Sequence, residues 1–285
     1  MYPNLSDLKY FIVVAETGNL SRAAEKLGVT QPSLSVAMKR VESSLGVELL
    51  IRSKSGVYPT KAGDQFLKRS RQLLNSWETL KSTLNEEEET PSGQYSLGCH
   101  PSVGMYTLPF FMPELNDRFP KLDIRLSHDH SRKITEKVIS FDLDIGIVVN
   151  PVKHPDLVIN ELCVDVVYFW KKKGMKPSAD AMKTLICDPD LAQSQKMTGS
   201  LKKNEIVFEK YLHSNNLELV SRMTAAGLGV GVIPSRVAMM QDKGRIEKID
   251  SWPTYKDKVC LVYRHEMRQT QAFKTLIDVI KSYEY

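Results

Sequence analysis

From Thr30 to Arg40 the chain reads TQPSLSVAMKR, and its polar members gather on one side of a helix. Leu34, Met38, Val41 and Leu45 recur at helical spacing and mark a buried stripe. The opposite side carries Pro32, Ser33, Val36, Lys39 and Arg40, with Ser35 beside it and Gln31 at the amino end. These residue types do not make or break bonds; they recognise a polyanion. Small residues permit close approach, a Gln can read a base edge, and Ser, Lys and Arg can hold phosphates. No acidic side chain interrupts that side before Glu42. The free N–H groups behind a Thr30 cap favour phosphate as well.

Other constellations offer less. His128 and His130 share one side of a strand end, but no third ligand is placed, so no metal is assigned. Cys99 and His100 are neighbours in sequence, whereas a nucleophile and its base must meet through the fold; the chain is read as a non-enzyme. "GLGVGV" (227–232) misses the dinucleotide spacing by one residue and follows a helix instead of a strand. It is read as a helix stop, and no cofactor is expected. Tyr106, Phe110 and Phe111 are read as core. Cys99, Cys163, Cys187 and Cys260 contain no C-x-x-C pair and fit reduced, packed thiols of a cytoplasmic chain.

The elements that must hold the recognition helix are short. Leu8, Phe11, Ile12 and Ala15 predict a first helix over about 5–17, and Leu20, Ala23, Ala24 and Leu27 predict a second that stops at Gly28. Asn19 or Ser21 caps it. Helix, tight turn and helix lodged on a first helix make a helix-turn-helix. "VELLIRSKSGVYPT" (47–60) reads as two short strands around Ser55-Gly56, a wing from which Arg52 and Lys54 reach backbone or minor groove. A long helix over about 61–85 follows. Its Phe66, Leu73, Trp77, Leu80 and Leu84 alternate at three and four residues, a seam that predicts pairing with a second copy; packing on its own domain is the alternative. "EEEETPSG" (86–93) reads as a hinge.

Beyond the hinge, strand-like runs ("QYSLGC", "LDIRLSH", "LDIGIVV", "KTLIC", "KVCLVYR") alternate with helical stretches, which implies mainly parallel sheets covered on both faces. The length of 285 residues suggests about two domains. The net charge of +5 is uneven: residues 1–85 hold 12 Lys/Arg against 7 Asp/Glu, and residues 86–89 are four glutamates. A basic amino-terminal part suits a polyanion without demanding one. No apolar run reaches 18 residues and the first residues lack a signal-peptide pattern, so neither membrane nor secretion is expected.

The stretch "LKYFIVVAETGNLSRAAEKLGVTQPSLSVAMKRVESSLGVELLIRSKSGVYPTKAG" resembles the amino-terminal domain of LysR-type transcriptional regulators. The likeness rests on the Ala23-Ala24 pair, the "VTQPSLS" entry, the "LGVELL" lead into the wing, and Thr60 with Ala62-Gly63 at the start of the long helix. It implies an α+β multi-domain chain: a winged helix-turn-helix with a dimerising linker helix, then two α/β lobes of periplasmic-binding-protein-like fold. The expected boundaries are 1–60 for the DNA-binding domain, 61–85 for the linker helix, 86–93 for the hinge, 94–163 plus 267–285 for lobe I, and 164–266 for lobe II. The implied partners are double-stranded promoter DNA, a small-molecule effector, a homodimer or homotetramer, and RNA polymerase. Gln31, Pro32, Ser35 and Val36 take the base-reading positions, with Arg22, Thr30, Ser33, Lys39, Arg40, Arg52 and Lys54 completing the DNA-contact set. Val36 stands where the family often has Arg or another polar residue, which points to a thymine methyl as its partner. Ser55 stands where a second wing Arg is usual, and Pro59 replaces the usual Leu.

In two-lobed α/β folds a ligand lies in the crevice at strand carboxyl ends, facing helix starts. "LGCHPSVG" brings His100, Ser102 and Val103 to such a junction, and "LSHDHSRK" brings His130 and Ser131. The family's contacts add the strand end at Val149 and second-lobe candidates Asp188 ("CDPDL") and Thr198 ("MTGSL"). A helix start with a free hydroxyl suits an anionic or carboxylated effector; Ser102 and Ser131 acting only as N-caps is the equal alternative. A rival reading of the whole chain is a small-molecule receptor or enzyme whose helix-turn-helix serves protein contacts.

Overall fold

Side-chain caps punctuate the first three helices. Helix α1 (Leu5–Thr17) opens with a reciprocal box: Asn4 Oδ1 accepts from the Asp7 N–H at 2.8 Å, and the Asp7 carboxylate accepts from the Asn4 N–H at 3.0 Å. Asn19, not Ser21, caps α2 (Leu20–Leu27) by accepting from the N–H groups of Ser21 and Arg22. Gly28, at φ 66°, turns the chain left-handed; Thr30 then caps α3 (Gln31–Leu45), with Pro32 in the first turn. The computed structural model describes residues 3–53, 55–84, 91–176, 180–203 and 206–285.

The three helices bury Phe11, Val14, Ala23, Leu34, Met38 and Val41 in one core. The stripe read from the sequence ends one turn early, because Leu45 is 46% exposed. It lies past the supporting helices and lines a 930 Å³ cavity shared with Arg264 and Glu266. Strands β1 (Leu50–Ser53) and β2 (Gly56–Pro59) pair antiparallel as the wing. Glu42 at the end of α3 accepts from the N–H groups of Leu49 and Leu50, and Val57 N–H donates to Gly18 O, so the wing is fastened at both edges.

Helix α4 (Lys61–Leu84) leaves the wing at close quarters. A Cβ on Gly63 would sit 2.1 Å from the Leu49 carbonyl oxygen, so only glycine lets the helix begin there. Its first turns pack on α1, the Phe11 and Phe66 rings meeting edge-to-face at 4.9 Å. Arg71 donates to Glu16 and pairs with Asp142, tying α4 to the head and to the next domain.

Residues 86–90 of the expected hinge lie outside the described residues, and Gly93 already belongs to a strand. The following elements are β3 (Gly93–Cys99), α5 (Pro101–Arg118), β4 (Leu122–His128), α6 (Ser131–Ile139), β5 (Ile145–Val149), β6 (Leu157–Lys172) and β7 (Thr184–Cys187). Then come α7 (Ala192–Lys203), β8 (Lys210–His213), α8 (Leu217–Ala226), β9 (Val230–Pro234), α9 (Ser235–Asp242), β10 (Ile246–Lys248), β11 (Tyr255–Arg264) and α10 (Gln271–Ser282). Strands β3, β4 and β5 pair in parallel, as do β7, β8 and β9. Two long antiparallel strands, β6 and β11, join these halves. One lobe centres on Leu97, Phe111, Ile147, Leu261 and Phe273; the other on Phe169, Leu185, Val220, Val232 and Ile233.

The return to the first lobe differs from the expected residue 267. Val259–Tyr263 already pair with β5, so the chain crosses back inside β11, after Asp257. A strand long enough to serve both sheets has no turn to mark the crossing, and the sequence offered none.

Candidate functional site: a DNA-facing helix and an interlobe cavity

Gln31, Pro32, Ser33, Val36 and Lys39 project from α3 into solvent, Val36 being 60% exposed. Thr30 and Ser33 share a hydroxyl bond of 2.8 Å that closes the cap. Arg52 of the wing donates to Ser35 Oγ at 3.2 Å, which sets its guanidinium beside the exposed side of α3. Arg22 lies exposed on α2, and Lys54 is outside the described residues.

Arg40 departs from the expectation. Its guanidinium turns back to Asp7, pairing through Nη2 and donating from Nε at 3.2 Å. Asp7 is 1% exposed, and a buried carboxylate needs a counter-charge. Arg40 therefore locks α3 to α1 and supports the recognition helix from behind.

The expected seam on α4 divides. Phe66 is half-buried in the core of the head and is not part of an exposed seam, because α1 covers the first turns of α4. Leu73, Trp77 and Leu80 are 54%, 41% and 48% exposed. The Leu84 side chain lies outside the described residues.

Between the lobes lies a cavity of about 40 Å³. Of the expected contacts it collects His100, Ser102, Val103, Ser131 and Val149. The hydroxyl roles differ from simple caps. His100 is the N-cap of α5, its Nδ1 accepting from Ser102 N–H at 3.3 Å, while Ser102 Oγ is buried with no hydrogen-bond partner. Ser131 Oγ accepts from Val149 N–H at 2.9 Å and so joins α6 to the end of β5. His130 caps α6 by backbone alone and stands 5.8 Å from the His100 ring. Two second-lobe candidates fall away from the lining. Thr198 sits mid-helix in α7, whose first turn supplies Gln193 instead. Asp188, 1% exposed, holds the turn before α7 by accepting from Asp190 N–H.

Sequence reasoning missed Tyr106, Asp165 and Asp257, all of which line the cavity. Tyr106, read as core, is buried but edges the cavity through its helix position. Asp165 on β6 and Asp257 on β11 are register partners, side by side where the two strands pass between lobes. Asp257 accepts from Asn150 Nδ2 at 2.7 Å and Gln193 Nε2 at 3.3 Å. Burial pushes its carboxyl up to about 6, with the Asp165 charge adding to the effect. Burial raises Asp165 too, against its backbone N–H bonds from Val166 and Arg236. His100 is lowered by burial and by His130. Neither Lys nor Arg lines the cavity, which runs against the anionic effector expected from the helix starts.

Cys99 Sγ and His128 Nδ1 approach to 3.6 Å, the Cys–His meeting that sequence adjacency did not provide. The thiol is fully buried and burial pushes it up to about 11, the opposite of an activated nucleophile.

Two family models cover the chain: the bacterial regulatory helix-turn-helix protein of the lysR family over residues 5–64, and the LysR substrate binding domain over residues 88–284. The DNA-binding transcriptional dual regulator OxyR of Escherichia coli is 27% identical across 98% of this chain and 95% of its own. A full-length OxyR variant of Pseudomonas aeruginosa superposes with a TM-score of 0.74 at 23% identity, over 99% and 95% of the two chains. CbnR in complex with its target DNA superposes at 0.63 and 22% identity, over 98% and 99%. No helix among the described residues is long and apolar enough to cross a membrane. With a winged helix-turn-helix, a linker helix and a two-lobed domain matched in order, the chain belongs to the LysR family of DNA-binding transcriptional regulators.

Proposed function

We propose that α3 enters the major groove of promoter DNA, with Gln31, Ser33 and Val36 toward base edges and Lys39 and Arg52 on the phosphates. The observation that carries this is the exposed, acid-free side of α3, held in place by the pairing of half-exposed Arg40 with buried Asp7. The fold shared with CbnR, solved with its target DNA, supports the same use. Two heads are brought to two half-sites by pairing along the exposed Leu73 and Leu80 of α4, forming a homodimer that can assemble further. The interlobe cavity receives a small effector, and a change in how β6 and β11 set the lobes shifts the DNA-binding equilibrium.

A relative from Pectobacterium carotovorum, 27% identical across 98% of this chain and 96% of its own, is named a hydrogen peroxide-inducible genes activator, and the peroxide response in that name finds no support in this chain's thiols. Cys99, Cys187 and Cys260 are buried and pushed up to about 11, and burial raises Cys163 as well. A redox-sensing thiol needs exposure and a lowered pKa.

Gel-shift titration on the DNA upstream of the chain's own gene tests the reading. Replacing Gln31 with Ala relaxes preference at one base pair, whereas Arg52→Ala weakens all sequences alike and flattens the salt slope. Parent-like binding by both variants would show that α3 and the wing do not touch DNA.

A further inference from the structure

The interlobe cavity contains two carboxyl groups and, among the described residues, neither lysine nor arginine. Asp165 and Asp257 are 4% and 2% exposed, stand opposite one another across β6 and β11, and both line the cavity. Their hydrogen-bond donors are uncharged: the amides of Asn150 and Gln193 for Asp257, and the backbone N–H groups of Val166 and Arg236 for Asp165. The Arg236 guanidinium is committed elsewhere, donating to the Tyr285 carbonyl at 2.5 Å and lying 5.6 Å from the Tyr106 ring. His100 is the remaining titratable neighbour on the lining besides Tyr106, with His130 near it and the charges of Asp188 and Glu218 acting on it. The Arg236 charge still acts on Asp165, but among the described residues no cation acts on Asp257, a carboxylate taken out of water with amide donors alone.

A second observation points into the same space. Ser102 lines the cavity and is 3% exposed, and its buried Oγ has no hydrogen-bond partner among the described residues. A buried hydroxyl left unpaired in a roomy polar site marks a place where a ligand or water supplies the missing bond. The cavity thus offers three acceptors, and an ammonium group carries three donors. Val103, Val149, Leu217 and Val237 supply an apolar wall in the same lining. A volume of about 40 Å³ is room for a compact group, on the order of three water-sized spheres.

We infer that the effector is a compact primary amine, its ammonium held by Asp257, Asp165 and Ser102 and its short alkyl tail laid on the apolar wall. This rests on the interlobe cavity being the effector site. Binding supplies the counter-charge that Asp257 lacks, so it draws β6 and β11, and with them the lobes, into one fixed arrangement.

Calorimetric titration of the full chain with n-propylammonium, propionate and 1-propanol at about pH 8 tests it. Propylammonium binds saturably and on the order of tenfold or more tighter than either analogue, and Asp257→Asn or Asp165→Asn removes that advantage. Ser102→Ala weakens it by a few-fold, and acidification to about pH 5 weakens it in the parent, because the Asp257 carboxyl, held up to about 6, is then protonated and no longer attracts a cation. The asparagine variants are isosteric, and a parent-like circular-dichroism spectrum with a single cooperative thermal melt confirms that they fold. Equal binding of propionate or propanol, retention of propylammonium affinity in Asp257→Asn, or no binding by any probe overturns the assignment. Propionate binding that Val103→Trp abolishes would keep the cavity as effector site while discarding the amine; ligand binding untouched by Val103→Trp would remove the cavity itself.

Discussion

Asp257→Asn should make the protein more stable at neutral pH, and by an amount that disappears in acid. The carboxyl ordinarily titrates near 3.8 and is held up to about 6 in the fold. Between those values the folded chain keeps a proton that the unfolded chain has released, so raising the pH favours unfolding. The cost is absent below about pH 3.8, grows through that window and is complete above about 6. At 1.36 kcal/mol per unit, it amounts to roughly 3 kcal/mol. An asparagine carries no charge and never incurs it. Its oxygen still accepts from Asn150, and a rotation of the Gln193 amide re-pairs its new N–H groups. Urea unfolding followed by tryptophan fluorescence reports on this lobe, because Trp170 is buried and Trp252 packs on Phe169. The variant should gain up to about 3 kcal/mol at pH 7.5 and nothing at about pH 3.5. A variant less stable than the parent at pH 7.5, or a gain independent of pH, would refute the claim that an uncompensated buried charge sits there.

Four further outcomes follow from the same geometry. Arg40→Ala should lower the thermal stability of the amino-terminal head because Asp7 loses its counter-charge, whereas Lys39→Ala should leave melting unchanged and weaken DNA binding alone. Gly63→Ala should destabilise the head by about 1–3 kcal/mol in denaturant titrations, since its Cβ meets the Leu49 carbonyl. Gln31→Ala should cost about 1–3 kcal/mol of discrimination at a single base pair in competition gel shifts. Leu73→Glu with Leu80→Glu should convert the dimer to monomer in light scattering and lower operator affinity with it.

What the sequence disclosed was local. The Thr30 cap, the Gly28 stop and the Leu34/Met38/Val41 part of the stripe act within a few residues, so the helix-turn-helix was readable except at Leu45, which is exposed, at Arg40, and in the choice of Asn19 over Ser21 as cap. Errors arose where the partner lies far along the chain. A helical wheel places Arg40 on the exposed side, but cannot show the Asp7 carboxylate that a capping box buries 33 residues earlier. The three-four alternation includes Phe66 because periodicity does not say whether Phe11 or another copy fills the opposite side. The family pattern offers Thr198 of "MTGSL" as an effector contact, yet α7 runs on through Gly199 and carries Thr198 mid-helix. The cavity's chemistry was the least legible part: Asp165 and Asp257 meet only through the register of two crossing strands, and neither carries a local motif.

The central claim is that the exposed side of α3 faces the major groove, and tethered cleavage tests it most directly. A Ser33→Cys chain carrying an iron chelate at that exposed position, with the native thiols buried or half-buried, should cut bound operator DNA at a few adjacent nucleotides of each half-site, with the offset between strands that marks the major groove. Specific binding with cleavage spread evenly along the duplex, or with none, would contradict it.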